Sequence, residues 1–294
     1  MKTIVHLSDL HFGTEKPELA EALLAELSAN PPSLVVVSGD LTQRARSRQF
    51  AAAARFLEKL PAPHLVVPGN HDVPLFDVAR RFLAPLGRYR RHIGENTDPV
   101  FDDGELCVVG LNTARSLTWK NGRISLEQIR ALRRRLAGTK AHYKVVVTHH
   151  PFIPPPLEPG VKGAGIQLVG RAVRAMQVLD TCQVDLLLAG HLHHGYSGDT
   201  RAQYPAAHRA IVSAQAGTAI SGRVRTDPNG YNRITFVGER LIVEVRSWRE
   251  GAFASLRATD YRRGQDGWQS HPSKEEGRIK KEEVPAVGDL KPET

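Results

Sequence analysis

The stretch Thr3-Ile4-Val5-His6-Leu7-Ser8-Asp9-Leu10-His11 decides how the whole chain is read. An apolar run short enough for one buried strand ends in a carboxylate and an imidazole two residues apart. The arrangement recurs downstream. Leu34-Val35-Val36-Val37 leads into Gly39-Asp40, Leu65-Val66-Val67 into Gly69-Asn70-His71-Asp72, and Val145-Val146-Val147 into Thr148-His149-His150. Leu186-Leu187-Leu188 closes the series ahead of His191-Leu192-His193. Strand ends on one edge of a parallel sheet converge, so side chains far apart in sequence are expected to meet there. In an extended segment, residues two apart face the same way, so Asp9/His11 and His191/His193 should each present both members to one metal cluster.

Helical patterns alternate with these strands. Pro17 to Ala29 carries Leu19, Leu23, Leu24 and Leu27 at helical spacing, with proline suited to the first turn. Gln43 to Leu60 repeats the pattern with Phe50, Ala54, Leu57 and Leu60. A strand over Leu106 to Leu111 precedes a helix from Ser125 to Leu136, where Ser125 and Gln128 form a capping box. Gly170 to Asp180 is a further helix. Beyond residue 195 the pattern changes to Ala210-Ile211-Val212, Arg233 to Val237 and Leu241 to Val245, separated by turn signals such as Asp227-Pro228-Asn229-Gly230. The expectation is an α/β domain over residues 1–262, its sheets completed by a C-terminal antiparallel meander. Residues 263–294 read as a polar, disordered tail.

The composition suits an ordinary globular protein: 294 residues, 41% hydrophobic and 24% charged. No secretory signal precedes the first strand, and no window approaches the length of a membrane span, so a cytoplasmic location is expected. Cys107 and Cys182 give no disulfide framework and read as buried thiols. The net charge is +9, although residues 265–294 hold five Lys/Arg against seven acids, so the body is more basic than the whole. A basic body suits a small anionic substrate such as a phosphate ester, and equally nucleic acid or an anionic membrane surface. The arginine runs Arg80, Arg81, Arg88, Arg90, Arg91 and Arg130, Arg133, Arg134, Arg135 carry no nucleic-acid motif and read as solvated helix faces or loops. No stable nucleic-acid partner is expected.

Mixed oxygen and nitrogen donors, with one carboxylate placed centrally, are what two metal ions a few Å apart require. Asp40 is the candidate bridge: it is central in the order, and Gly39 before it lets backbone approach closely. The ordered set D-x-H, G-D, G-N-H-D, H and G-H-x-H over residues 9–193 resembles the calcineurin-like metallophosphoesterase superfamily. The lead-in Ile4 to Gly13, Gly39-Asp40-Leu41-Thr42 and His149-His150-Pro151 look most like its bacterial cyclic-nucleotide and glycerophosphodiester phosphodiesterase branch. The resemblance implies a β-sandwich of two mixed sheets flanked by helices. It implies that Asp9, His11, Asp40 and His193 hold one metal, and Asp40, Asn70, His149 and His191 the other. It further implies phosphodiester hydrolysis by a metal-bridging hydroxide, with His71 stabilising the transition state or protonating the leaving oxygen. Manganese, iron, zinc and cobalt all fit such donors.

One position departs from many relatives. Gln43 stands three residues after Asp40, where they carry an Asp that orients the catalytic histidine or a Tyr that binds iron. His71 must then be oriented by another group, Asp72 or backbone. His150 is expected to turn away from the metals into packing or a hydrogen bond behind them. His194 is left between substrate contact and turn closure, and the proline-rich Pro151 to Pro159 between active-site wall and plain connection. Arg223 or Arg225, in a segment of small residues, is a candidate for reaching a substrate phosphate. Alternatives to the diesterase are a phosphomonoesterase, a nucleotide-lipid pyrophosphohydrolase, a DNA nuclease, and a non-catalytic scaffold of the same fold. A homodimer is compatible with the resemblance, although no heptad or apolar stripe in the sequence predicts its interface.

Overall fold

Strands form from these apolar runs because alternate side chains enter two different dry layers. In β1 (Lys2–Leu7), Ile4 faces one layer while Val5 and Leu7 face the other; in the later strand Leu34–Val37, Leu34 and Val36 separate from Val35 and Val37 in the same way. In this computed structural model, residues 1–155, 168–223 and 227–271 are described. The elements after β1 run α1 (Pro17–Ala29), β2 (Leu34–Val37), α2 (Ser47–Leu57), β3 (His64–Val66), α3 (Val78–Leu83), α4 (Gly87–His92), β4 (Val100–Asp102), β5 (Leu106–Gly110) and α5 (Leu126–Gly138). They continue with β6 (Tyr143–Val147), α6 (Ala172–Thr181), β7 (Leu186–Ala189), β8 (Tyr196–Asp199), β9 (Val212–Gln215), β10 (Gly230–Val237), β11 (Arg240–Arg249), β12 (Ala252–Gly264) and β13 (Gly267–His271).

Two mixed sheets stack face to face. One has the order β13-β12-β11-β10-β1-β2-β3, the other β4-β5-β6-β7-β9-β8. Ile4, Val36, Val108, Val145, Leu188, Val212 and Ile234 are among the side chains that fill the layer between them. The outer face of the first sheet is covered by Leu19, Leu23 and Leu27 of α1 and by Phe50, Ala53 and Phe56 of α2. The outer face of the second is covered by Ile129, Leu132 and Leu136 of α5 and by Ala175, Met176 and Leu179 of α6. The result is a helix–sheet–sheet–helix sandwich. The five strand ends singled out in the sequence therefore lie on two sheets, not one. β1, β2 and β3 run parallel in the first, and β6 and β7 run parallel in the second.

The expected caps are in place. Ser125 accepts from the Gln128 backbone, and the Gln128 side chain accepts from the Ser125 backbone at the start of α5. Two expectations need correction. The sheet does not stop at 262: β12 continues to Gly264 and pairs with β13, whose Trp268 is buried beside Asp185. Residues 272–294 of the expected tail, residues 156–159 of the proline-rich stretch, and Arg225 lie outside the described residues. Nor is Arg81 part of a solvated face. It is buried and donates to the carbonyls of Pro74, Ser116 and Thr118, tying α3 to the loop after β5. Among the described residues no helix is long and apolar enough to cross a membrane.

Candidate metal centre

The strand ends deliver the seven predicted donors and His71 to one site at the junction of the two sheets. The loop after β1 lies along the loop after β2. The Asp9 amide donates to the Gly39 carbonyl at 3.1 Å and the His11 amide to the Asp40 carbonyl at 3.0 Å. Close approach is enforced by glycine. A Cβ on Gly190 would fall 1.8 Å from Ser8 Oγ and 2.7 Å from Asp9 Oδ2, so only a residue without one lets the loop after β7 reach Asp9. The His191 amide then donates to Asp9 Oδ2 at 3.1 Å.

The backbone at these tips is not extended. Asp9, His11, Asp40, His191 and His193 all have positive φ, between 46° and 73°. The paired donors therefore come together through left-handed turns, not through the alternation of a strand. Leu192 donates to the Gly190 carbonyl at 2.9 Å inside one such turn. Non-glycine residues in this conformation carry a strain cost of order 1–3 kcal/mol each and concentrate where function requires them.

The donor atoms face inward. Asp9 Oδ1 lies 3.5 Å from His11 Nε2 and 3.5 Å from His193 Nε2. Asp40 reaches both sides of the site: Oδ2 is 3.8 Å from His11 Nε2, and Oδ1 is 3.4 Å from His149 Nε2. Asn70 Oδ1 lies 3.1 Å from His149 Nε2 and 3.0 Å from His191 Nδ1. The remote ring nitrogens are engaged behind the site. His149 Nδ1–H donates to the Ser38 carbonyl at 2.8 Å, and His193 Nδ1 meets Thr218 Oγ1 at 2.6 Å. Such contacts fix which nitrogen each imidazole offers inward.

The residues fit a metal pair. Asp9 Oδ1 and both ring nitrogens of His11 are buried without a hydrogen-bond partner among the described residues. Buried polar atoms rarely stay unpaired, and a cation among these carboxylates and imidazoles would satisfy them. Two overlapping groups, Asp9/His11/His193 and Asp9/Asp40/His149, each offer donor atoms within 4.8 Å of one another. Electrostatics agree. Burial opposes ionisation of Asp9 and Asp40, but the neighbouring imidazoles outweigh it and hold both carboxyls below their usual range. Burial disfavours charge on His149 too, yet Asp40 and Asp9 raise it to about 9; His191, buried and beside His149, falls to about 4. One imidazole poised to hold a proton beside two carboxylates is a place where a metal ion would take the proton's position.

His71 is oriented by backbone. Its Nδ1–H donates to the Gln43 carbonyl at 3.0 Å, leaving Nε2 to accept from Arg223 Nη1 at 2.9 Å. Arg223 also donates to the Gln43 side chain at 3.4 Å, so Gln43 serves both residues. Asp72 does something else. Its carboxylate accepts from the amides of Leu41, Thr42 and Gly69 and from Thr42 Oγ1, fastening the loop after β3 to the loop after β2. Burial and Asp40 push its carboxyl up to about 6. His150 has both ring nitrogens hydrogen-bonded, Nδ1 to Thr113 Oγ1 and Nε2 donating to the Lys120 carbonyl, yet its ring stays beside those of His149 and His191, with a nitrogen within 4.8 Å of theirs. His194 pairs with Asp227 at 2.7 Å on the half-open surface. Arg223 is the residue the sequence flagged least clearly; its only signal was a cation in a run of small residues. Cys107 and Cys182 are both buried and free, and burial raises the Cys107 thiol to about 11.

Comparisons with known proteins agree with this geometry. Residues 2–195 match the model of the calcineurin-like phosphoesterase family. The chain is 26% identical over 203 residues to a probable cyclic nucleotide phosphodiesterase of Synechococcus, covering 66% of this chain and 74% of the relative. It is 26% identical over 208 residues to the 3',5'-cyclic adenosine monophosphate phosphodiesterase of Escherichia coli K12, covering 65% and 69%. A probable glycerophosphodiester phosphodiesterase of Arcobacter nitrofigilis is 24% identical over 222 residues, 74% of each chain. Among solved structures, PhoD superposes with a TM-score of 0.68 at 13% identity over 92% of this chain and 72% of PhoD. A purple acid phosphatase of yellow lupin superposes with a TM-score of 0.64 at 15% identity, over 86% and 52%. These likenesses establish the fold. With the family match spanning most of its length, the chain belongs to the calcineurin-like phosphoesterases and is a metal-dependent phosphoester hydrolase.

Proposed function

We propose that this chain hydrolyses small phosphodiesters of the cyclic-nucleotide or glycerophosphodiester class at a dinuclear metal centre. Asp9, His11, Asp40 and His193 would hold one ion, and Asp40, Asn70, His149 and His191 the other. The observation that carries the reading is that Asp9 Oδ1 and both His11 nitrogens, buried among Asp40, His149 and His193, have no hydrogen-bond partner among the described residues. The diester class is supported by the names of the relatives above.

When bound, the metal pair would supply Lewis acidity toward the phosphoryl oxygens and activation of the water nucleophile. The chain's own residues supply the rest. His71 Nδ1–H on the Gln43 carbonyl fixes the ring with its unprotonated Nε2 toward the site and Arg223, so that Nε2 can take up a proton there and only then hand it to a leaving oxygen. Burial, with His11 and Arg223 close by, keeps His71 below the usual imidazole range against the pull of Asp40. Arg223, with Nη1 beside His71 Nε2, puts a fixed positive charge where a phosphoryl oxygen would rest.

The test is the initial rate on a chromogenic phosphodiester and on its matching monoester, with metal stripped and manganese restored, and Asp40→Ala as control. Manganese-dependent diester preference that the control abolishes is the expected result. Monoester preference would overturn the diesterase assignment, and bound metal without turnover of either ester would overturn the small-substrate assignment.

A further inference from the structure

One patch beside the site is built unlike the rest of the surface. Phe76, Phe82 and Leu83, on and just before α3, and Leu117 and Trp119, in the loop after β5, are each more than half exposed. They are held together from beneath. The buried Arg81 guanidinium donates to the Ser116 and Thr118 carbonyls and lies 4.9 Å from the Trp119 ring, while Arg44 lies 5.7 Å from the Phe76 ring. Large exposed apolar clusters cost solubility and mark contact surfaces.

The patch borders the metal centre on two sides. Phe76 follows the Asn70–Asp72 turn by four residues, and Arg44 adjoins Gln43, whose carbonyl orients His71. On the other side, the Lys120 carbonyl next to Trp119 accepts from His150 Nε2. Its charge is one-sided. Residues 73–93 hold four arginines besides the buried Arg81, and one acid, Asp77, which pairs with Arg80 and Arg88. The loop 115–123 holds Arg115, Lys120 and Arg123 and no acid. A second copy meeting this face would set like charges against each other.

We infer that this patch docks the enzyme on an anionic phospholipid bilayer, with the mouth of the metal centre held at the lipid surface. Phe76, Phe82, Leu83, Leu117 and Trp119 enter the interfacial layer, and the surrounding Arg and Lys side chains meet anionic headgroups. This amends the sequence reading of the Arg80 to Arg91 run as plain solvated surface: the apolar partners of those arginines come partly from a loop more than thirty residues away. Docking requires no turnover, so it stands apart from the proposed substrate class.

The experiment is co-sedimentation of the full chain with vesicles of phosphatidylglycerol and phosphatidylcholine, against phosphatidylcholine alone. Trp119 fluorescence is followed alongside, with Trp119→Phe as reference. The expected result is binding to the anionic vesicles only, a blue shift of emission lost in Trp119→Phe, and release in high salt. Phe82→Ser with Leu83→Ser, and separately Arg80→Gln with Lys120→Gln, should each weaken binding about tenfold or more. Both should keep wild-type turnover of a soluble chromogenic diester, which shows that they fold. Absence of vesicle binding, or equal binding by wild type and both variants, would overturn the proposal. So would dimerisation in sedimentation velocity that Phe82→Ser with Leu83→Ser abolishes, since the patch would then be a self-association surface.

Discussion

The bodies of the central strands and their tips solve opposite problems with the same chain. Within β2 and β7 every side chain is apolar and dry, and in β1 and β6 most of the buried ones are apolar: Ile4, Val36, Val145 and Leu188 meet between the sheets at regular alternation. A few residues on, Asp9, His11, Asp40 and His149 are just as buried but polar, and three of the four have left-handed backbone. The bodies add stability through burial. The tips spend some of it to hold charge and unpaired donors at one point. A protein can keep a strained, polar cluster rigid when the elements on which it stands are regular and fully packed.

The sharpest way to separate the two regions is Asp40→Ala. Turnover should fall by at least about a thousandfold, with metal content per chain falling alongside, while denaturant unfolding of the metal-free protein stays within about 1 kcal/mol of wild type. A large loss of metal-free stability would break the distinction. Leu188→Ala should do the reverse, lowering stability by about 2–5 kcal/mol while leaving the KM of the folded enzyme unchanged.

His6 tests the boundary itself, since it lies between body and tip. It is buried against Ser38 and Asn232, and burial takes it from 6.5 to about 3, against the pull of Asp9. Between those values the unfolded chain binds a proton that the folded one refuses, so stability present above pH 6.5 is lost as pH falls toward 3. The slope is about 1.4 kcal/mol per pH unit for a single group. His6→Phe should flatten this acid limb in urea titrations of the metal-free protein; an unchanged slope would place the acid sensitivity elsewhere. The smallest effect is expected at Arg223. Arg223→Ala should lower kcat/KM on the diester by about tenfold to a hundredfold, with Arg223→Lys recovering part of it and stability unchanged.

Legibility followed the same divide. The bodies were readable because period-2 and helical alternation survive in the sequence. Leu34–Val37 and Pro17–Ala29 have the expected bounds, and the Ser125 cap is where its side chain requires. β12 escaped because most of its residues are exposed and carry no apolar alternation, and α3 and α4 because each is only six residues, too short for a helical period to repeat. At the tips the donor identities were readable, since carboxylate, amide and imidazole at strand ends have few other uses. The backbone that presents them was not, because Asp9-Leu10-His11 is equally compatible with an extended segment. The orientation of His71 was also hidden: a carbonyl that belongs to Gln43 has no signature in the side chain at that position.

The left-handed tips have an evolutionary corollary. Asp and His, with Asn, are among the few side chains that tolerate positive φ, and they are also metal donors. The alphabet that relieves the turn and the alphabet that performs the chemistry therefore overlap, so neither demand excludes the other at Asp9, His11, Asp40, His191 and His193. Glycine satisfies only the first. A lineage of this protein released from catalysis but still selected for stability would drift at these five positions toward glycine, leaving the turns intact and the donors gone.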